Sequence, residues 1–315
     1  MRQVTVFGGS GFVGRYIVRA LAAQGAVVRI AVRRPQLGDF VKTAGDVAQV
    51  VCVQANLRYP QSVAAAVAGS EAVINATGIY VQRGAQTFEA VHVEGARCIA
   101  EAARQAGAAH LVHISGIGAD DRNDPSPYVR SKALGEEAVK NAFPGAVILR
   151  PSVMFGPEDR FFNAIATAAR MAPVLPVFGG GSARLQPVYV ADVGHAAARA
   201  TGLDPDAPRS FELGGPRIYT YRGLMQLTLE QMGRRRPLLS VPVTLGKIGA
   251  FFAEFLPSPP ITRDQIDLLS RDNIVRPGAA GFADLGIAPT AAEVVLPTYI
   301  DRYRLHGRYS QGIAH

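Results

Sequence analysis

The sequence predicts an α/β protein built on a doubly wound parallel sheet, with a smaller, irregular annex at its C-terminal end. Two observations support this fold class. Short β-branched runs alternate with stretches of helical apolar spacing over the first two thirds of the chain, and Gly and Pro interrupt the pattern after about residue 200. Strand–helix alternation of this kind places helices on both faces of a parallel sheet. We therefore expect a main domain over residues 1–215 and the annex over residues 216–315.

The individual elements follow from periodicity. Short runs rich in Val, Ile and Leu predict strands at residues 4–7, 27–32, 50–53, 72–74, 111–114 and 147–149. Apolar residues repeating every three or four positions predict helices at residues 12–23, 87–105 and 128–141.

Composition narrows the class of protein. Of the 315 residues 48% are hydrophobic and 18% are charged, against about 25% charged in typical domains, which favours a buried core over disorder. The net charge is +8, and 29 of the 33 basic residues are Arg. Such a balance fits nucleic acid, anionic lipid or an acidic partner, and it equally fits a GC-rich genome that encodes Arg often. Neither an RNA-binding motif nor a basic stripe interleaved with aromatic residues is present, so we expect no nucleic-acid partner.

Cysteine and histidine spacing argue against disulfides and metals. Cys52 and Cys98 form no C-x-x-C pair, and the six His residues include no helical pair at ligand spacing. The sequence contains no run of 18 apolar residues, the length that a membrane-spanning helix needs. The first strand begins near residue 3, which leaves no room for a signal peptide. These features predict a cytoplasmic, bacterial protein without a metal site.

A glycine-rich turn joins the first predicted strand to the first helix. Residues 8–14 read GGSGFVG, so that Gly8, Gly11 and Gly14 form G-x-x-G-x-x-G. In a dinucleotide-binding Rossmann turn one glycine makes the tight turn, the next lets the backbone approach a pyrophosphate and the third packs helix against strand. The helix N-terminus then offers free N–H groups to the phosphates. Gly8, Gly11, Phe12 and Gly14 are the candidate residues here.

The end of the second strand indicates the type of dinucleotide. NAD-binding proteins place an acidic residue there for the ribose 2′-hydroxyl, whereas an Arg nearby accommodates the 2′-phosphate of NADP. This chain reads AVRRP at residues 31–35 and has no acid. Arg33, with Arg34 beside it, therefore predicts NADPH as the cofactor, the alternative being two solvated surface arginines.

These motifs resemble the extended short-chain dehydrogenase/reductase superfamily. Tyr128 and Lys132 match its Y-x-x-x-K motif, and residues i and i+4 share one face of a helix. The resemblance implies that Lys132 binds the nicotinamide ribose and lowers the pKa of Tyr128, whose phenol exchanges a proton with substrate. The other positions that match cofactor-binding segments of the superfamily are Asn56, Leu57, Ala76, Thr77, Gly78, Ser115 and Pro151.

One position departs from the active members of that superfamily. They carry Ser or Thr where the fifth strand ends, whereas in this chain Ser115 lies one position early and Gly116 takes the catalytic position. A shift of one residue would restore Ser115. Only 12 residues separate Ser115 from Tyr128, which is short for active members. We expect Tyr128 and Lys132 to be vestigial; the alternative is an NADP-dependent reductase, dehydrogenase or epimerase acting on a small carbonyl or sugar-nucleotide substrate.

A subgroup of the superfamily fits more closely. The segments that resemble the NADPH-binding accessory subunits of respiratory complex I (NADH:ubiquinone oxidoreductase) are residues 143–148, 150–161, 186–193, 260–264 and 284–287. The resemblance implies a tightly held, structural NADPH and core subunits of complex I as partners. It also implies a peripheral position on the cytoplasmic side of the bacterial inner membrane.

The annex carries a candidate interface. Four apolar residues share one face of a predicted helix: Leu245, Ile248, Phe252 and Phe255. Phe251 and Leu256 widen this stripe, and residues 257–260 end it. Such a stripe forms core, or it docks on a partner or membrane surface. Three arginines at residues 234–236 suit anionic headgroups or an acidic subunit face, or they form a solvated turn. We expect docking at the membrane boundary, near the quinone-binding region.

Overall fold

A computed structural model describes residues 2–255 and 261–304. Its strands, in chain order, are β1 (Gln3–Phe7), β2 (Val27–Val32), β3 (Val50–Gln54), β4 (Ala72–Asn75), β5 (His110–Ile114), β6 (Val147–Pro151), β7 (Met154–Phe155), β8 (Leu175–Phe178), β9 (Arg184–Leu185), β10 (Val188–Tyr189), β11 (Ser210–Leu213), β12 (Tyr219–Thr220) and β13 (Leu238–Val241).

The helices lie between these strands and after them. They are α1 (Phe12–Ala23), α2 (Pro60–Val67), α3 (Gly95–Gln105), α4 (Pro127–Ala142), α5 (Phe161–Met171), α6 (Val190–Ala200), α7 (Tyr221–Gln231), α8 (Val243–Ala253), α9 (Arg263–Leu269) and α10 (Ala292–Ile300). A 3₁₀ helix covers Pro35–Ala44, and a π-helix, Glu89–Glu94, leads directly into α3. Shorter 3₁₀ turns lie at Gly179–Gly181, Ala283–Leu285 and Asp301–Tyr303.

The chain divides into two compact units. The first contains the residues up to 151 together with residues 190–213 and 276–288. The second contains residues 152–189, 214–275 and 289 onward. The sequence predicted one boundary at residue 215, whereas the chain passes between the units at five points.

The first unit is a seven-stranded parallel sheet in the order β11-β6-β5-β4-β1-β2-β3. The order reverses at β1, with β2 and β3 on one side and β4 on the other, which is the doubly wound arrangement. This confirms the predicted fold class, and all six predicted strands lie in the sheet. The seventh strand, β11, was not predicted.

Both faces of the sheet are covered. On one face α2, α3 and α4 pack over a cluster of buried side chains that includes Phe7, Val63, Ile99, Leu111 and Ile148. Parallel strands that are apolar on both faces need such cover on each side. The helix α6 packs along α1 so closely that a Cβ at Gly194 would lie 2.8 Å from the backbone of Tyr16. This contact explains why residues 190–213 belong to the first unit.

The second unit has its own core. Its short strands pair as β7 with β10, β8 with β13 and β9 with β12. Helices α5, α7 and α10 surround buried aromatic and aliphatic side chains such as Phe155, Phe162, Leu224 and Leu296. Asp159 stabilises this core, since its carboxylate accepts the N–H groups of Phe162 and Asn163 at the start of α5 and the hydroxyl of Tyr299.

Among the described residues, no helix combines the length and the apolar character that crossing a bilayer requires.

Candidate functional site

The glycine turn lies at the carboxyl end of β1 and needs its glycines for steric reasons. Gly8 has a φ of +77°, and a Cβ there would lie 2.6 Å from the carbonyl oxygen of Ala76. A Cβ at Gly14 would lie 2.0 Å from the carbonyl oxygen of Gly8. Helix α1 begins at Phe12 with Gly11 as its N-cap and no side-chain cap. Its first N–H groups are therefore available to an anion.

Arg33 and Arg34 lie just beyond the end of β2. Because β1 and β2 are parallel, with Phe7 opposite Ala31, both arginines follow the same edge of the sheet as the glycine turn. Their side chains are exposed, and neither is paired with a carboxylate within the described ranges. The 3₁₀ helix that follows places Gly38 beside Ser10 of the turn. The two guanidinium groups are thus free to bind a phosphate at this edge.

The predicted residues after β3 and β4 have different surroundings. Asn56 is half-buried and its side-chain oxygen accepts the N–H of Arg58. Leu57 packs against the core under α3, where a Cβ at Gly95 would lie 2.7 Å from it. The segment from Ala76 to Gly78 follows β4 and borders the glycine turn, as the close approach of Ala76 to Gly8 shows.

Tyr128 and Lys132 lie in the first turns of α4. Ser126 caps this helix by accepting the N–H of Val129 at 3.2 Å. The ammonium of Lys132 is buried and donates a hydrogen bond of 2.8 Å to the carbonyl oxygen of Ile114, at the end of β5. Burial lowers the pKa of Lys132 to about 8, against an opposing effect of the Glu136 carboxylate. The lysine is therefore held beside the end of β5.

The neighbouring segment combines an unpaired hydroxyl with an empty side-chain position. Ser115 is 6% exposed, and its Oγ has no hydrogen-bond partner in the part of the chain that the structure describes. At Gly116 a Cβ would meet only the carbonyl oxygen of Pro151, at 3.9 Å. Gly116 therefore offers no hydroxyl, although the position has room for one. Pro151 itself is tied to this loop, because its carbonyl oxygen accepts the N–H of Ile117.

A nicotinamide dinucleotide fits these residues. Among the described residues, the buried Ser115 hydroxyl has no hydrogen-bond partner and the buried Lys132 ammonium uses one of its three donors. Buried polar groups are costly to leave unsatisfied. The cradle between Gly8 and Gly14 excludes side chains, as close backbone approach to a pyrophosphate requires. The structure thus brings the predicted cofactor-binding residues at the ends of β1, β4, β5 and β6 and on α4 to one edge of the sheet. Leu57 instead packs against the core.

The ring of Tyr128 contacts three other aromatic rings. Tyr80 stacks on it with ring centroids 5.2 Å apart and planes 18° apart. Phe88 and His92 meet it edge-on, with centroids 5.9 Å and 5.6 Å away. The sequence interpretation singled out none of these three neighbours. Phe88 and His92 lie at the π-helix that precedes α3, and π-helices often mark functional sites. The apolar periodicity of the sequence predicted one continuous helix there, so it gave no sign of the π-helix.

A partly buried charge cluster supports the same part of the sheet. Arg150 on β6 binds both oxygens of Glu136 on α4, at 2.9 Å and 2.6 Å. Arg276 binds Glu212 on β11 and also Asp120, in the loop after β5. The pKa of Arg150 is raised, chiefly by its hydrogen bonds to Glu136. These residues lie within the first unit and fix the loop that contains Gly116.

The apolar stripe of the second unit is exposed. Side chains at the four predicted positions are 59%, 56%, 66% and 75% exposed, respectively Leu245, Ile248, Phe252 and Phe255. The opposite face of α8 is the buried one, through Gly246 and Ala250. The stripe is therefore surface and not core. Its predicted end, at Leu256 and residues 257–260, lies outside the described residues.

The basic run is less exposed than expected. Arg234 and Arg236 are half-buried, and Arg236 donates a hydrogen bond to the carbonyl oxygen of Ala169. Only Arg235 is fully on the surface. The run therefore presents one exposed charge where three were expected, which weakens its attraction to anionic lipid.

Fold and site together define a dinucleotide-binding protein of the extended short-chain dehydrogenase/reductase type. The family model described as "NAD dependent epimerase/dehydratase family" matches residues 4–214. The chain belongs to this family and, within it, to the group of NADH–ubiquinone oxidoreductase subunits that the sequence resembles. It is 34% identical over 306 residues to the mitochondrial 40 kDa subunit of that complex from Neurospora crassa, covering 97% of this chain and 80% of the relative.

Two further comparisons bear on activity and fold. A ceramide reductase from Caulobacter vibrioides is 34% identical over 242 residues, or 76% of this chain and 73% of the relative. The structure of dTDP-glucose 4,6-dehydratase from Streptomyces venezuelae, solved with NAD, superposes with a TM-score of 0.72 at 20% identity, covering 96% of each chain. The last comparison supports the fold alone. The family model and the likeness to the 40 kDa subunit confirm the predicted superfamily and subgroup.

Proposed function

We propose that this protein is an NADPH-binding accessory subunit of bacterial complex I that stabilises the complex and has no turnover of its own. The observation that carries the proposal is the likeness to the 40 kDa subunit over 97% of the chain, including the second unit. The ceramide reductase, by contrast, matches 76% of the chain. Gly116 agrees with the absence of turnover, because a glycine has no side-chain hydroxyl to donate to a substrate oxygen.

NADPH is the cofactor that the charges favour. Arg33 and Arg34 are exposed, unpaired and beside the glycine turn, so that a 2′-phosphate would find two cations and no carboxylate there. At the other end of the cofactor, Ser115 and Lys132 would hold the ribose and the nicotinamide. When bound, the cofactor would supply a hydride, but the chain provides one hydroxyl fewer than an active member for polarising a substrate carbonyl.

Contact with complex I would be made through α8. The exposed face has an apolar character, and the two cations of α8 and α9 are both paired: Lys247 binds Asp267 at 2.6 Å and Arg263 binds Glu254 at 2.9 Å. Membrane-surface helices are typically rich in free Lys and Arg, and an uncharged apolar face suits a protein surface better. We therefore infer that α8 docks on an apolar face of a core subunit at the membrane boundary, on the cytoplasmic side of the inner membrane.

An enzyme is the second candidate. Tyr128 and Lys132 are both in place, and a relative 34% identical is named a ceramide reductase. This reading predicts NADPH oxidation with a carbonyl substrate, either a small ketone, a sugar nucleotide or a long-chain keto lipid. It also predicts that Tyr128→Phe abolishes that oxidation. Failure to oxidise NADPH across such a panel would count against it.

The deciding experiment follows the chain through a gentle solubilisation of bacterial membranes. The proposal predicts that the chain migrates with complex I and that NADPH is recovered from the purified complex. A double variant, Leu245→Asp with Phe252→Asp, should release the chain from the complex. Val294→Asp is the matched control, because Val294 is 66% exposed in the same unit but lies on α10. Migration of the wild-type chain apart from complex I would overturn the proposal.

A further inference from the structure

His92 joins two segments that border the dinucleotide site. It lies on the π-helix Glu89–Glu94 and is 2% exposed. Its Nε2 accepts the N–H of Ile79 at 3.0 Å, in the segment after β4. Its Nδ1 lies 2.8 Å from the Oγ of Ser131 on α4. One side chain thus connects the loop on one side of the site with the helix on the other.

The hydrogen bonds determine which nitrogen is protonated. A backbone N–H can only donate, so Nε2 of His92 must be the acceptor and Nδ1 must carry the proton. Nδ1–H therefore donates to Ser131, whose hydroxyl donates in turn to the carbonyl oxygen of Tyr128 at 2.7 Å. The chain of bonds runs in one direction, from Ile79 through His92 and Ser131 to the backbone of Tyr128.

The backbone brings the π-helix unusually close to α4. A Cβ at Gly135 would lie 2.2 Å from the carbonyl oxygen of His92, so only glycine permits this approach. The wider π-turn and the close approach at Gly135 together place the imidazole of His92 within hydrogen-bond distance of Ile79 and Ser131. Stacking on Phe88, with centroids 5.4 Å apart, holds the plane of the ring.

The other end of the same loop is fixed in a comparable way. Asn75, the last residue of β4, donates from Nδ2 to Nδ1 of His113 at 3.1 Å. Its Oδ1 accepts the N–H of Thr77 at 3.1 Å and the hydroxyl of Thr77 at 2.6 Å. The loop from residue 75 to residue 79 is therefore held at its start by the sheet and at its end by His92.

We infer that His92 is a positioning residue that keeps the loop after β4 closed against α4 and so slows the release of the bound dinucleotide. The inference rests on the cofactor binding of the proposed function and explains how a structural cofactor would be retained. The loop borders Gly8 at one end, and Tyr128 follows Ser126 in the first turn of α4. Loss of the imidazole bonds would let these two borders separate without removing any residue proposed to touch the cofactor.

The test measures the NADPH dissociation rate of the purified chain by fluorescence, with excess NADP⁺ to prevent rebinding. His92→Phe keeps an aromatic ring but removes both hydrogen bonds. We expect dissociation to be faster by about tenfold, which corresponds to about 1.4 kcal/mol, because both hydrogen bonds that hold the loop to the imidazole are lost. His195→Phe on α6, at an exposed histidine, is the control and should leave the rate unchanged.

A second variant separates positioning from bulk stability. His92→Gln retains an acceptor for the N–H of Ile79 and should restore most of the retention. Ser131→Ala removes the other bond alone and should give an intermediate rate, which decides the matter if His92→Phe does not fold. The inference would be overturned if wild type and folded His92→Phe released NADPH at equal rates. It would also be overturned if His92→Gln released NADPH as fast as His92→Phe. Absence of comigration with complex I would instead overturn the proposed function and leave this comparison intact.

Discussion

Lys132 donates a hydrogen bond to the carbonyl oxygen of Ile114 at 2.8 Å while its side chain is buried. The nearby carboxylate of Glu136 does not neutralise it by direct contact, because Arg150 occupies both of its oxygens. A buried ammonium without a carboxylate partner is costly. The geometry at the end of β5 is therefore suited to a ligand with hydroxyl groups, which can accept hydrogen bonds from the ammonium.

Replacement of this lysine should separate stability from cofactor binding. We expect Lys132→Met, which keeps the length and removes the charge, to raise the melting temperature of the cofactor-free chain. The same change should weaken NADPH binding by tenfold or more, as expected for a lost hydrogen bond to a charged group of about 1.5–3 kcal/mol. Thermal melts with and without NADPH measure both effects, and a variant that binds NADPH as well as wild type would contradict the assignment of Lys132.

The choice between NADPH and NADH should depend on Arg33. Arg33→Ala removes one cation from the edge beside the glycine turn, so NADPH affinity should fall much more than NADH affinity. Titration calorimetry with the two cofactors measures the difference. Arg104→Ala, an exposed arginine at the end of α3, should change neither value. Equal losses for both cofactors would refute a role for Arg33 at the 2′-phosphate.

The buried ion pair of Glu136 and Arg150 should be the most sensitive charge position. Glu136→Gln leaves the Arg150 guanidinium buried without its carboxylate, and breaking such a pair costs about 3–5 kcal/mol. The comparison is Lys140→Met, because Lys140 meets Glu136 from the surface at 3.4 Å and surface pairs contribute about 0–1 kcal/mol. Denaturant unfolding measures both, and similar small losses would show that the pair contributes little.

Replacement by alanine should have very different effects on stability at two glycines of the site. Gly8→Ala should prevent cofactor binding and destabilise the fold, because φ is +77° and the Cβ would clash with Ala76 at 2.6 Å. Gly116→Ala should be tolerated, since its Cβ has only Pro151 at 3.9 Å. Melting temperatures of the two variants provide the comparison. A large loss for Gly116→Ala would mean that the position is closed to side chains and could not have carried a hydroxyl.

Acid should destabilise the chain through its buried histidines. Burial lowers the pKa of His92 to about 3, and it lowers the pKa of His113 well below the usual value of 6.5; the Lys132 charge contributes to both shifts. Between pH 6.5 and 3 these two histidines are therefore protonated in the unfolded chain but remain neutral in the folded chain. The free energy of unfolding should fall as the pH decreases through this range, by up to about 1.4 kcal/mol per pH unit for each histidine. A smaller slope in His92→Gln, measured by denaturant unfolding at several pH values, checks the contribution of His92.

Apolar runs and motif spacing sufficed for the strands of the sheet and for the glycine turn. The strands β1 to β6 are predominantly apolar runs and the glycine turn has a fixed spacing, so local sequence determines both. By contrast β11 reads SFEL, too short and too polar to be distinguished from a loop. Its place in the sheet depends on pairing with β6, more than 50 residues earlier in the chain.

The histidine contacts escaped prediction for a related reason. His92 lies in a stretch whose apolar spacing suits an ordinary helix, and only the packing of α4 reveals the π-turn. The α8 stripe is the converse case. Its spacing correctly predicts one apolar face, but spacing cannot distinguish a face covered by the same chain from one left on the surface. Exposure of Ile248 and Phe252 in the structure makes that distinction.

The return of residues 276–288 to the first unit has a consequence for solubility. Strand β11 is the last strand of the seven-stranded sheet, so its outer edge would be open to pairing with other chains. The N–H of Glu212 instead donates to the carbonyl oxygen of Ala280, and Arg276 neutralises the buried Glu212 carboxylate. A chain shortened to residue 215 would lose this cover together with the counter-charge. It would then present a bare strand edge beside a buried acid that has lost its nearest counter-charge, Arg276, and keeps only the more distant Arg150. The last third of the sequence therefore protects the first two thirds against aggregation.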